Sequence, residues 1–380
     1  MNQRSYLDHN ATSPLRPEVR EAVGDALAIP GNPSSVHEEG RTARAAVEKA
    51  RAKVASLVGA RPEDVIFTSG GTEANALALA AQSGEAWHCY PSAIEHPSVL
   101  SGGRFYFKTT TIFPVTADGV ADLASLSEML ETHKPGRPIV SLMVANNETG
   151  AIQPVAEAAR IVHDAGGILH SDAVQAAGRV PLDMGALGAD LVTLSAHKIG
   201  GPKGVGALVL AEGATVEPLI KGGGQEGRRR AGTENVAGIV GFGVAAELAL
   251  ADLAQMAAVA KLRDALEEGV YAIAQDAVVF SSAVPRLANT SCFAVPGAKA
   301  ETLVIGLDLA GVAVSAGAAC SSGKVEASHV LAAMGVRPEL AQSAIRVSLG
   351  IGSENTDIQS FLSAFAELIK RLKRSTKEAA

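Results

Sequence analysis

Only three cysteines and one tryptophan occur in 380 residues, aromatic side chains make up 4%, and acidic residues outnumber basic ones by 40 to 33. Cys89, Cys292 and Cys320 form no Cys-x-x-Cys pair, which excludes a disulfide framework and the common zinc motifs and fits a reducing, cytoplasmic setting. The net charge of −7 argues against nucleic acid as a partner. Met1-Asn2-Gln3-Arg4-Ser5 lacks the apolar core of a secretion signal, and no apolar stretch reads as long enough to span a membrane. What is abundant is small: 39 glycines within a chain that is 47% hydrophobic, the composition of an α/β enzyme with many tight turns. The length exceeds what one hydrophobic core usually serves, so two domains are expected.

Apolar periodicity divides the chain. Residues 1–14 are short and turn-rich. Helical patterns cover Pro17–Leu27 and about Glu38–Val58, and from Val65 to about Val209 short apolar strands alternate with helical segments. Strands are expected at Val65–Thr68, Ile139–Ala145, Ile168–His170, Leu191–Ser195 and Val205–Leu210, which predicts a largely parallel sheet with helices on both faces. A Gly/Arg-rich loop, Lys221–Gly232, precedes a long helix from about Asn235. A second unit begins near Ala251, with strands around Val278–Phe280, Asn289–Ala294 and Ala344–Ser348 and a helix near Asp357–Arg371. The Lys/Glu/Ala tail after Lys370 is expected to fray. The expected domains are therefore 15–250, and 1–14 together with 251–380.

Candidate chemistry clusters at strand ends. Lys198 lies in Ser195-Ala196-His197-Lys198-Ile199-Gly200-Gly201-Pro202-Lys203, and Asp172 ends the run Ile168-Leu169-His170-Ser171-Asp172. An amine and a carboxylate at adjacent strand ends are what an aldehyde cofactor with a pyridinium ring requires: the amine forms a Schiff base and the acid keeps the ring nitrogen protonated. Most lysines beside Gly and Pro are solvated, and Lys203 is a rival in the same turn. Asp172 with Gln175 can face one crevice or cap a helix. Ser69-Gly70-Gly71-Thr72 joins a strand to a helix start and can cradle a phosphate, with no lysine where a nucleotide would need one. His96 can stack on a ring or move protons. In Asn146-Asn147-Glu148-Thr149-Gly150 an Asn makes an Asx turn or reaches a ligand. Arg346, inside an apolar strand, binds a carboxylate or an internal acid. The arginines of Lys221–Gly232 read as a solvated face or a further anion contact. Cys320, among Ser, Ala and Gly, reads as an exposed loop thiol, whereas Cys89 and Cys292 read as buried and inert.

Taken together and in order, Tyr6-Leu7-Asp8-His9-Asn10-Ala11-Thr12, Gly31-Asn32-Pro33-Ser34-Ser35, Thr68-Ser69-Gly70-Gly71-Thr72-Glu73, Asn146-Asn147-Glu148-Thr149-Gly150, Asp172-Ala173-Val174-Gln175 and Ser195-Ala196-His197-Lys198 resemble the cysteine desulfurases of the NifS/IscS type, within the class V aminotransferases. The resemblance covers nearly the whole chain. It implies a fold-type-I pyridoxal-phosphate enzyme, with a large mainly parallel sheet domain and a smaller α+β C-terminal domain carrying the Cys320 loop and Arg346. It implies Lys198 as the Schiff-base lysine, Asp172 on the pyridinium nitrogen, Gln175 on the ring hydroxyl and His96 over the ring. Gly71, Thr72, Ser195 and His197 match phosphate-site positions, Thr233 a contact from a neighbouring subunit, and Asn147 and Arg346 the substrate-carboxylate site. Asn147 also counts among the cofactor contacts. Cys320 matches the persulfide-forming cysteine.

The expected activity is removal of sulfur from L-cysteine, giving L-alanine and a Cys320 persulfide for iron–sulfur assembly or other sulfur transfer. A homodimer and a sulfur acceptor or iron–sulfur scaffold are the implied partners. No intrinsic metal is expected, with Cys320 a candidate transient iron–sulfur ligand. A selenocysteine lyase, a class V aminotransferase and an inactive scaffold subunit are the alternatives. The family's other branch carries Arg-x-Gly-His-His-Cys, which is absent here. Ala316 and Ala318 stand where the family often has hydroxyl residues, which bears on loop order and thiolate activation.

Overall fold

The computed structural model describes residues 4–80, 87–102, 110–132, 136–317, 320–321, 324–325 and 328–378, without the side chains of 102, 320–321, 324–325 and 375–378. A short strand β1 (Ser5–Tyr6) precedes helices α1 (Pro17–Leu27) and α2 (Glu38–Leu57). There follow β2 (Val65–Thr68), α3 (Gly71–Ala80), β3 (Trp87–Pro91), α4 (Leu123–Thr132), β4 (Arg137–Ser141), α5 (Val155–Asp164), β5 (Ile168–Asp172), α6 (Met184–Leu187), β6 (Leu191–Ser195) and β7 (Gly206–Leu210). The sheet runs in the order β2-β7-β6-β5-β4-β3, and β3, β4, β5 and β6 are parallel. Their near-continuous apolar runs follow from burial on both faces.

Strand β7 departs from the expected parallel order. It pairs antiparallel with both β6 and β2. The connection Ala196–Val205 carries only a 3-10 turn (Ala196–Lys198), and a parallel return needs a dozen or more residues. The chain therefore doubles back and leaves Lys198 in the bend. Strand β4 ends at Ser141 instead of Ala145, although Leu142 N and Val144 N still donate to His170 O and Asp172 O at 3.0 and 2.9 Å.

Helix α7 (Val236–Asp252) continues through a 3-10 turn into α8 (Met256–Ile273). This run is long and apolar enough to cross a membrane, with a window of mean hydropathy 1.8, which corrects the expectation that no stretch reaches that length. Its apolarity serves the interior. A Cβ added at Gly243 would meet Ala50 of α2 at 2.7 Å, and one at Gly241 would meet Val23 of α1 at 2.5 Å.

The C-terminal half adds β8 (Val278–Val279), β9 (Thr290–Ala294), α9 (Ala300–Leu309), β10 (Val312–Ala313), β11 (Ser315–Ala316), β12 (Cys320–Ser321), β13 (Lys324–Val325), α10 (His329–Ala333), α11 (Pro338–Ala341), β14 (Ala344–Ser348) and α12 (Asn355–Glu378). The order β11-β14-β9-β8 forms a second, antiparallel sheet, and β1 pairs in parallel with β10. Helix α12 runs to Glu378, past the point where fraying was expected. One large apolar cluster joins residues from Val19 to Ala249 with Leu287; another joins Leu7 to residues from Met256 to Ile369. Residues 7–16 run between the two: Ser13 N donates to His197 O and Arg16 N to Gly200 O.

The Gly/Arg-rich loop spends most of its charge internally, contrary to a solvated face. Buried Glu226 receives Arg51 Nη1 and Nη2 at 2.6 and 3.0 Å and the Phe67 amide at 2.9 Å. Arg230 pairs with Glu73 at 2.8 Å, and Arg229 donates to the Glu63 and Glu226 carbonyls. Glu226→Ala would leave the buried Arg51 guanidinium with only the half-exposed Glu48, which reaches its Nε at 3.1 Å, so equilibrium unfolding is expected to show a loss of about 3 kcal/mol.

Candidate active site

The carboxyl ends of β5 and β6 open into a cavity of about 500 Å³, within the range of small-molecule sites. Helix α3 starts at this edge. A Cβ at Gly71 would meet Val174 Cγ2 at 3.1 Å and Ser195 Cβ at 3.4 Å, so only glycine brings the helix start against the two strand ends. The free amides of the first turn, with the exposed Thr72 hydroxyl, then face the cavity beside Ser195 and His197. Thr12 Oγ1 lies 3.1 Å from His197 Nδ1 and fixes that ring. Burial, then Lys198 and Lys203, lower the His197 pKa to about 4, which keeps the ring neutral.

Asp172 is 7% exposed and borders the cavity. Its Oδ1 accepts from Val174 N at 2.9 Å, an Asx contact in a run of turns where sequence allowed a helix cap, while its Oδ2 accepts from Asn75 Nδ2 at 2.8 Å. Asn75 Nδ2 also donates to Ser98 Oγ at 2.9 Å, and Ser98 Oγ lies 2.8 Å from His96 Nδ1. One amide thus orients both the acid and the histidine. His96 stands at the open side of the cleft; its pKa is lowered by withdrawal from water, against the pull of Asp172 and with Lys198 and His329 adding to the fall. Asn75→Ala is expected to weaken cofactor retention about tenfold, measurable by equilibrium dialysis against pyridoxal phosphate.

Lys198, not Lys203, lines the cavity. Its Nζ donates to the carbonyls of Asn10 and Ala11 at 2.5 and 2.9 Å. Burial, followed by Arg179 and Arg346, brings its pKa down to about 7 against the opposing pull of Asp172 and Asp8. Near neutral pH a substantial share of this amine is therefore unprotonated and nucleophilic. Gln175 faces the same cavity, with Nε2 donating to Asn10 O at 2.9 Å.

Of the paired asparagines, Asn146 makes the Asx turn, its Oδ1 accepting from Glu148 N and Thr149 N at 2.9 and 3.0 Å. Asn147 lines the cavity. Arg346 meets both alternatives. Its Nη2 donates to Asp8 Oδ1 at 2.8 Å and its Nη1 to Asn147 O at 3.0 Å, yet the guanidinium lines the cavity and its Nε is buried without a partner. Asn75 Oδ1 is likewise buried and unpartnered. An amine, a carboxylate, a guanidinium and a helix start around one cavity fit an anionic, ring-bearing ligand.

The loop of Cys320 begins on this wall. Ser315 and Ala316 pair with Arg346 and Ile345, and Ser315, Ala316 and Gly317 all border the cavity. Ser315 Oγ donates to Asp8 Oδ2 at 2.9 Å. Cys320–Ser321 pairs antiparallel with Lys324–Val325; the Cys320 thiol and Ala318 lie outside the described residues, so the expected exposure of that thiol has no counterpart here. Thr233 is exposed and outside the cavity. Cys89 and Cys292 are buried, and burial pushes the Cys89 thiol up to about 12 and the Cys292 thiol higher still. In the folded chain both are expected to resist iodoacetamide, as peptide mass spectrometry would show. Among the described residues no His, Cys, Asp and Glu cluster could hold a metal ion.

Asn10, Asn75, Ser98 and Glu148 escaped the sequence reading. Asn75 left one signal, a polar residue on the buried, otherwise Ala/Leu face of α3.

Residues 5–361 match the family model described as aminotransferase class-V. The chain is 41% identical to cysteine desulfurase IscS of Dictyoglomus turgidum over 98% of this chain and 96% of that one. It is 43% identical to a cysteine desulfurase of Cereibacter sphaeroides over 98% and 97%. The crystal structure of a NifS-like protein from Rickettsia africae superposes with a TM-score of 0.90 at 36% identity, covering 97% of this chain and 100% of that one.

Proposed function

Since the chain belongs to the class-V aminotransferase family as one of its cysteine desulfurases, an enzyme family that depends on pyridoxal phosphate, takes sulfur from cysteine and passes it to acceptors, we propose that its own site is built on Lys198, Asp172, Arg346 and Cys320. The observation that carries this reading is the single cavity on which an amine of lowered pKa, a buried carboxylate and a partly unpaired guanidinium converge. Pyridoxal phosphate would supply an aldehyde for Lys198 and a cationic ring that draws electrons from the substrate's α-carbon.

The chain's residues divide the remaining work. Gly71, Thr72, Ser195 and His197 would hold the phosphate. Asp172, held by Asn75, would keep a proton on the ring nitrogen, and His96, Gln175 and Asn147 would hold the ring. Arg346 would hold the substrate carboxylate, and Lys198 Nζ would take up the α-proton. Arg346 also couples to the loop: through Asp8 it reaches Ser315, at the base of the Cys320 segment. From Gly317 on the cavity wall to Cys320 is three residues, a span of about 10 Å when extended, enough for the thiol to enter the cavity. The Cys320 thiolate bonds the substrate sulfur; the carbon–sulfur electron pair stays with carbon, which takes a proton and leaves as alanine. The sulfur remains on Cys320 as a persulfide for a sulfur-acceptor or iron–sulfur scaffold protein. Arg346→Gln is expected to raise the KM for cysteine about 100-fold, seen in steady-state alanine release.

The exposed Thr233 fits a contact made across a homodimer, and a monomer with full activity by light scattering would refute that part. The reading as a whole is tested by supplying cysteine with and without a keto acid. Equal amounts of alanine and sulfane sulfur, with no amino transfer, are expected. Amino transfer in place of sulfur release would favour the aminotransferase reading.

A further inference from the structure

Three arginines are buried in the described chain, Arg51, Arg179 and Arg346. Arg51 pairs with Glu226 and Arg346 with Asp8. Arg179 has no acid. Its Nη1 donates to Gln175 O at 3.0 Å and to Gln175 Oε1, and its Nη2 to His9 O at 3.3 Å, all neutral acceptors. A cation withdrawn from water without a counter-ion destabilises the fold, so its place in the structure calls for a reason.

That place is behind the reactive amine. Lys198 lines both the main cavity and a second one of about 350 Å³, whose wall includes Arg179, His9 and Ile199. By taking Gln175 Oε1, Arg179 fixes which end of that amide is left over: Nε2 can only donate, and it does so to Asn10 O. The same carbonyl receives Lys198 Nζ. Arg179 is therefore linked to the acceptor of the lysine through one side chain.

We propose that Arg179 is a positioning residue for Lys198, fixing the Gln175 amide as a donor and placing one unneutralised positive charge behind the amine. The inference rests on Lys198 being the reactive amine. The charged and titratable groups facing Lys198 are Arg179 and Arg346, which oppose its protonation, Asp172 and Asp8, which favour it, and His96 and His197. Of the two arginines, Arg346 already has an acid partner, so Arg179 contributes the charge that no neighbour cancels.

The test reads the amine directly, in the full chain freed of cofactor. Lysines are reductively methylated with carbon-13 formaldehyde and their resonances titrated by NMR, Lys198 being assigned by its loss in Lys198→Ala. Its midpoint is expected near 7 in the native chain and about 1 pH unit or more higher in Arg179→Gln. In Arg179→Lys, which keeps a charge but loses the two-point grip on Gln175, the midpoint is expected to stay well below that of an ordinary lysine. In the loaded enzyme the pH midpoint of the visible absorption band is expected to move the same way. Superimposable midpoints in native chain and Arg179→Gln would overturn the proposal. If Arg179→Gln does not fold, an ordinary lysine midpoint in folded Arg179→Lys would overturn it equally. A native chain whose Lys198 titrates as described but whose Lys198→Ala variant still turns over cysteine would instead sink the assignment of the reactive amine.

Discussion

Lys198→Ala is expected to lower alanine formation from cysteine by about 10³-fold or more while leaving the fold intact. Two losses add. Removing the amine deletes the group that transfers the α-proton, a contribution of about 10² to 10⁴ in rate. It also removes the covalent attachment of the aldehyde, leaving the cofactor held by non-covalent contacts alone. Steady-state alanine assays give the first quantity, and the loss of the visible band on dialysis gives the second. Folding should survive, because among the described residues Nζ bonds two carbonyls and forms no ion pair. Arginine is the sharper control: Lys198→Arg restores a cation in the bend yet supplies no nucleophilic amine, and should be as inactive as alanine. Cysteine turnover at the native rate in either variant would contradict the assignment.

Cys320→Ser carries the second large effect. A hydroxyl is a far poorer nucleophile toward sulfur than a thiolate, so sulfur delivery to an acceptor is expected to fall by about 10²-fold or more. Binding of cysteine and the spectral response to it should persist, because Lys198, Asp172 and Arg346 are untouched. This split separates a desulfurase from a lyase that expels sulfur without using the loop, for which serine would be neutral. Cys89→Ser and Cys292→Ser cannot imitate the effect, since both positions are sealed in the interior.

Much of this site could be read from the chain before folding. Strands Val65–Thr68, Leu191–Ser195 and Ala344–Ser348 lie where apolar periodicity put them, because fully buried strands write their burial into continuous Val/Ile/Leu runs. Lys198 and Asp172 were legible as polar residues at the ends of such runs. The antiparallel sense of β7 was not, since direction depends on the length of the Ala196–Val205 bend and not on strand composition. The membrane-like window in α7 shows the same limit: apolarity fixes burial but not whether lipid or α2 supplies it. Asn75 and Arg179 were missed because their roles exist only between elements. Asn75 joins Asp172 of β5 to Ser98, and Arg179 joins Gln175 to the His9 carbonyl from the N-terminal segment.

Brief exposure of the loaded protein to L-cysteine, followed by intact and peptide mass spectrometry with alanine quantified in parallel, tests the central claim most directly. One added sulfur atom on the Cys320 peptide, matched mole for mole by alanine, is the expected result. Alanine released with the Cys320 peptide unmodified, at the earliest times sampled, would contradict it.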